Sequence, residues 1–235
     1  MRGRLICISI VGFALFTSVA DAQNEPTVDV HLRIESPKHE TKRALPSAVA
    51  WLAPLPQTPA SPFLPDQHYT LLQKNREFKP HLLVIPVGSI VDFPNRDPFF
   101  HNVFSLFDGK RFDLGLYEAG STKSVTFSRE GVSYIFCNIH PEMSAVVLTL
   151  STSLFSTADS GGSFHIVHVP QGEYELHVWI EGIAQPLLNR MVRRVRVTPD
   201  SGDLGVIEAP PVLLKATPHT TMYGQPYDRD AKPPY

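Results

Sequence analysis

The sequence predicts an all-β protein made of two sandwiches, a larger one with Greek-key connections and a second, smaller one. Three observations carry this expectation. Apolar residues recur in short runs that alternate with polar residues or stand together, and each run is bounded by turn-forming residues. No long amphipathic helical pattern is present, while Pro is abundant at 22 residues, a combination that suits many short strands joined by turns. Hydrophobic residues make up 43% of the 235-residue chain, enough for a full core in one large domain or two small ones.

The first segment reads as an address. Arg2 and Arg4 precede an apolar run over residues 5–16, and Ala20-Asp21-Ala22 fits a small-residue cleavage site. Residues 1–22 are therefore expected to be a signal peptide, with the mature chain starting at Gln23. The rival is an uncleaved membrane anchor, for which the run is short, since a span needs roughly 20 residues.

Residues 27–35 then place Val28, Val30, Leu32 and Ile34 on one face, the pattern of a half-buried strand. Residues 36–42 are polar and turn-like, and residues 48–52 form a second short apolar strand that ends at Pro54. Pro54, Pro56, Pro59, Pro62 and Pro65 punctuate a stiff spacer. Strand patterning resumes over residues 69–73, 82–86 and 90–93, with Gly88 suited to a tight turn. A loop over residues 95–98 leads to His101, and Val103, Phe104 and Leu106 continue as a strand after it. Residues 107–121, with Gly109, Gly115 and Gly120, read as irregular. Residues 123–127 and 132–136 form a pair around Arg129-Glu130-Gly131, and residues 144–150 close the unit. About seven strands at this spacing suggest a Greek-key sandwich over residues 66–150.

A second unit follows over residues 151–215. Asp159-Ser160-Gly161-Gly162-Ser163-Phe164 turns into a strand, and Tyr174, Leu176 and Val178 alternate on one face of another. Residues 191–197 read as an edge strand whose Arg193, Arg194 and Arg196 discourage further pairing. The tail, residues 216–235, is Pro-rich and polar, a composition of disorder.

A net charge of −2 argues against nucleic acid as a partner, because phosphate binding relies on clustered Lys and Arg. Of two cysteines, Cys7 leaves with the signal, so Cys137 has no partner for an intramolecular disulfide in the exported chain. Its neighbours give it a role. Cys137-Asn138-Ile139-His140-Pro141-Glu142-Met143 sets a thiolate, an imidazole and a thioether at three-residue intervals on one loop. Two sulfurs and a borderline nitrogen suit copper better than other first-row metals, and a blue-copper site needs one more imidazole. His101, in Phe99-Phe100-His101-Asn102-Val103-Phe104-Ser105, supplies it. Zinc is the rival metal: a thioether is a poor zinc ligand, but Glu142 offers a carboxylate.

On these residues the stretch 66–150 resembles the cupredoxins, with the short Cys-x2-His-x2-Met loop of amicyanin-type proteins. The resemblance implies one type 1 copper site, with His101, Cys137, His140 and Met143 as ligands. It further implies that Asn102 ties the ligand loops together and that His140, stiffened by Pro141, is the electron port near the surface. Residues 157–181 resemble the later half of a carboxypeptidase-regulatory-like (transthyretin-like) sandwich, whose first half Pro46-Ser47-Ala48-Val49-Ala50-Trp51-Leu52 resembles. Residues 23–60 and 151–215 would then form one split sandwich around an inserted cupredoxin unit; a tandem pair is the alternative.

The remaining histidines form no constellation. His165 and His168 point to opposite faces of a predicted strand, His177 reads as a surface residue, and His81 as a structural one. His31, His39, His68 and His219 stand apart. Phe99, Phe100 and Phe104 read as packing that keeps water from the copper, or else as an apolar docking patch. The expected function is therefore an exported, periplasmic or secreted electron carrier between a redox donor and acceptor, such as a cytochrome or dehydrogenase. It would have no enzymatic activity and no membrane span once the signal is cleaved. The alternatives are a copper module for storage, delivery or sensing, and a structural or carbohydrate-binding sandwich with incidental metal.

Overall fold

The computed structural model describes residues 25–35, 45–58, 68–106, 109–212 and 221–226. The expected signal peptide, most of the proline spacer, and His39 and His219 lie outside these residues. The chain is all-β as the composition predicts. Its strands are β1 (Val28–Ile34), β2 (Ala48–Pro54), β3 (His68–Thr70), β4 (Leu72–Lys74), β5 (Glu77–Lys79), β6 (Leu82–Pro86), β7 (Ile90–Pro94), β8 (His101–Ser105) and β9 (Phe112–Tyr117). They continue as β10 (Thr122–Thr126), β11 (Gly131–Phe136), β12 (Ser144–Leu150), β13 (Phe155–Thr157), β14 (Ser163–Ile166) and β15 (Gly172–Ile180). A short helix, α1 (Gln185–Met191), precedes β16 (Arg193–Val197) and β17 (Asp203–Ala209).

Among the described residues these strands make four sheets and one hairpin. The middle of the chain builds a five-stranded sheet, β6-β12-β11-β8-β9, a smaller sheet, β10-β7-β3, and the β4-β5 hairpin. The two ends of the chain build the others, β13-β2-β15-β16 and β14-β1-β17. β1 runs antiparallel to β14 and parallel to β17, and β2 lies between β13 and β15. The first two strands thus pair with late ones, and residues 68–150 intervene in sequence.

The five-stranded sheet is packed on both faces, which explains its composition. On β12, Ala145 and Val147 join one apolar cluster with Phe93, Val103, Ile135 and Cys137. Val146, Leu148 and Leu150 on the opposite face join another with Val49, Leu52, Leu176 and Trp179. A strand covered on both sides reads as a continuous apolar run, and Ser-Ala-Val-Val-Leu-Thr-Leu is one. Each large side chain so buried contributes about 1.5–3 kcal/mol. Polar contacts tie the same seam. His81 meets Glu181 Oε1 through Nε2 at 2.7 Å and the Ser144 carbonyl through Nδ1 at 3.2 Å. Trp179 bonds Tyr134, and Trp51 stacks on His177 at 5.2 Å. His177 is therefore a half-buried seam residue and not a plain surface one.

Several expectations are corrected. The stretch expected to be irregular contains β9, paired with β8. Its alternation is broken by Gly115 at φ +64 and by a register shift opposite Asn102, and Leu116 is 60% exposed at the sheet edge. His101 begins β8 instead of preceding it. Residues 69–73 are two strands, because the chain leaves β3 at Leu71 and turns into a hairpin with β5. Met191 ends a helix too short to show a period, and His168, at φ 53, has left the strand that holds His165. Within the tail expected to be disordered, residues 221–226 form a turn closed by Gly224 N–H to Thr221 O and Thr221 N–H to Gln225 O. Among the described residues no helix is long and apolar enough to cross a membrane.

Candidate metal centre

β11 ends at Phe136 and β12 begins at Ser144, and residues 137–143 connect them. The register that pairs Phe136 with Ser144 sets Cys137 opposite Met143. Both are buried, at 0% and 1% exposure, and belong to one apolar cluster. Two backbone bonds close the loop: Cys137 N–H to Met143 O at 3.3 Å and Met143 N–H to His140 O at 3.0 Å. β8 lies on the other side of β11, antiparallel to it with Phe104 paired to Phe136, and this carries His101, at the start of β8, to the ligand loop.

Three donor atoms converge. Cys137 Sγ lies 3.7 Å from His101 Nδ1 and 3.5 Å from His140 Nδ1, and the two Nδ1 atoms are 3.1 Å apart. All three residues are buried, with His140 only 6% exposed. Phe99 covers them, its ring 5.3 Å from that of His101 and 5.5 Å from that of His140. Phe100, by contrast, is 45% exposed, and Phe104 is buried against Phe136.

Burial favours the neutral form of all three groups. Burial pushes the Cys137 thiol up, while the backbone N–H groups of Asn102, Ile139 and His140 aim at its sulfur and oppose that push. Burial pushes His101 and His140 down, so both imidazoles favour the neutral, lone-pair-bearing form. Asp97 bonds His101 Nε2 at 2.9 Å, leaving Nδ1 turned to the cluster. Burial raises the Asp97 carboxyl, but the N–H groups of Arg76 and Asn75 and the His101 ring outweigh it and hold the group low.

Of the sequence-predicted residues, His101, Cys137 and His140 come together, and Met143 lies in the same core. Asn102 reaches Cys137 Sγ through its backbone N–H, while its side-chain amide donates to Asp113 Oδ1 at 2.7 Å. Glu142 is exposed, and the one metal-capable cluster among the described residues contains no carboxylate. Asp97 was not foreseen; its place four residues before a candidate ligand was the available signal. Unforeseen too is a contact from the tail: Met222 N–H donates to Asn138 Oδ1 at 2.9 Å, within the ligand loop. The donor set fits a soft or borderline ion, one thiolate sulfur and two imidazole nitrogens turned to a common point.

No family model matches the chain, and no curated protein matches it. Solved structures do resemble parts of it. A Cu-containing nitrite reductase (NirK) from Thermus scotoductus SA-01 aligns over 40% of this chain at 25% identity and a TM-score of 0.34. That alignment spans only 25% of the reductase. A purple cupredoxin from Nitrosopumilus maritimus aligns over 36% of this chain and 100% of its own, at 27% identity and a TM-score of 0.32. A reduced amicyanin variant aligns over 43% of this chain and 98% of its own, at 21% identity and a TM-score of 0.34.

Proposed function

We propose that His101, Cys137, His140 and Met143 hold one copper ion in a type 1 site, and that the protein is an exported carrier of single electrons between redox proteins. The observation behind this reading is the convergence of one sulfur and two imidazole nitrogens, all within 4.8 Å of one another and all buried. Copper held there would supply one-electron chemistry between Cu(I) and Cu(II).

The chain's own part is to keep the donors still and dry. Cys137 and Met143 stand at facing strand ends, joined by a backbone hydrogen bond. Three N–H groups oppose the burial that raises the Cys137 thiol, and Asp97 bonds the His101 ring. Phe99 excludes water from both imidazoles. Beside the cluster, Pro98, Phe99, Phe100, Glu118 and Ala119 line an open hollow of about 410 Å³. Such a surface suits brief contact with a partner protein, since transient redox complexes bury less than about 1,200 Å². The second unit orients the carrier on a larger assembly. Residues 1–22 direct export to the periplasm or beyond.

Voltammetry of the copper-loaded protein, with a chelator-extraction time course, tests the function. A reversible one-electron couple with slow extraction is expected. Rapid extraction without a reversible couple would replace the carrier with a module for copper storage, delivery or sensing.

A further inference from the structure

We infer that Asp97 is a positioning residue, held by the turn between β4 and β5, which fixes the tautomer of His101 and so aims its Nδ1 at the cluster. The inference rests on the copper-site reading for its purpose, though not for its geometry.

The carboxylate is nearly buried, at 5% exposure, and both of its oxygens are used. Oδ1 accepts the Asn75 N–H at 2.6 Å. Oδ2 accepts the Arg76 N–H at 3.0 Å and faces His101 Nε2 at 2.9 Å. An ionised carboxylate only accepts hydrogen bonds, so the ring proton of neutral His101 belongs on Nε2. Nδ1 is then a lone-pair donor, and it is the atom that faces Cys137 and His140. Partners on the far nitrogen of a metal-binding imidazole set its tautomer and orientation in this way.

The turn is shaped for the task at a conformational cost. Asn75 and Arg76 have φ of 58 and 57, both left-handed. A two-residue hairpin of this kind favours Asn followed by Gly, because a residue with a Cβ is strained in the second place. Arg76 occupies that place and still delivers its N–H to Asp97. The loop carrying Asp97 is pinned to the same hairpin, with Arg96 N–H donating to Gln73 O at 2.9 Å. Asp97 N–H donates to Asn95 Oδ1 at 3.0 Å. The Arg76 guanidinium lies over Phe99, 5.3 Å from the ring centroid, a separate contact with the cluster's cover.

The test compares the wild type with Asp97→Ala and Asp97→Asn. Nitrogen-15 NMR of the metal-free proteins reads the His101 tautomer, and competition titration with a Cu(I) chelator reads affinity. Wild type should show the proton on Nε2. Asp97→Ala should lose that preference and weaken Cu(I) binding about 10- to 100-fold. Asp97→Asn keeps an oxygen for Nε2–H and should retain most of the tautomer. A wild-type proton on Nδ1 overturns the inference even where a variant does not fold. So does an Asp97→Ala protein that melts earlier but keeps the tautomer and the affinity. Wild type that takes up no copper yet holds Nε2–H would instead defeat the copper reading and leave the positioning role intact.

Discussion

Above neutral pH, each unit of pH should tighten Cu(I) binding about tenfold, because one proton leaves for each ion bound. The count comes from three groups. Burial pushes the Cys137 thiol up from its ordinary value of 9.0, so at neutrality the site carries a thiol whose proton must depart. Burial pushes His101 and His140 down from 6.5, so at neutrality both are already neutral and release nothing. One proton corresponds to about 1.4 kcal/mol of binding free energy per pH unit. The slope should persist until the pH passes the raised thiol value. As pH falls below the lowered imidazole values, the count should climb toward three and the slope steepen. Anaerobic competition with a chelator of known pH dependence measures the slope, and calorimetry in two buffers of different ionisation enthalpy counts protons directly. Cys137→Ser should bring the slope near zero over the neutral-to-alkaline range. A wild-type slope near zero there would mean that the metal-free protein already holds a thiolate. A slope near two would mean a charged imidazole, and either result refutes the reasoning.

Leu148→Ala opens a cavity in the seam where Leu148 is 2% exposed, and should cost about 2–5 kcal/mol in denaturant unfolding. A loss under about 1 kcal/mol would show that the two halves of the molecule do not share a packed core. The His81–Glu181 pair should matter most at mildly acidic pH. Its hydrogen bond to Glu181 raises His81 from 6.5, a contribution present below that value and lost as pH rises through the elevated one. The same bond lowers Glu181 from 4.5, a contribution present above that value and lost as pH falls through the depressed one. Glu181→Gln should therefore lower the melting temperature most between pH 4.5 and 6.5, and a deficit that is equal at alkaline pH would refute the pairing. Asn138→Ala removes the acceptor for Met222 N–H. A bond with a net worth of about 0.5–1.5 kcal/mol implies roughly two- to tenfold faster hydrogen exchange at that amide. An unchanged rate would show that the tail turn is held by something else.

The legible and illegible parts of the molecule divide by range. Cys137, His140 and Met143 lie on one loop, so their spacing alone placed them together. His101 needed a strand pairing, but its position beside an apolar strand made the match readable. Asp97 acts through a hairpin whose turn is Asn-Arg, not the Asn-Gly that would have announced it, so neither the turn nor its carboxylate acceptor stood out. The apolar run on β12 recorded burial on both faces, yet nothing local said what covered the second face. β1 displayed a half-buried alternation without naming β14 and β17 as its partners, since pairing over such sequence distance leaves no periodic trace. β9, carrying Gly115 and the exposed Leu116, was lost because an edge strand needs only one covered side.

The central claim is a copper ion bound by Cys137 thiolate between two imidazoles. Its most direct test is the optical and electron spin resonance spectrum of the mature protein loaded with Cu(II). An intense thiolate-to-copper band with a small hyperfine splitting, absent in Cys137→Ser, is the expected result. A pale protein with an ordinary tetragonal copper signal that Cys137→Ser leaves unchanged would contradict the account.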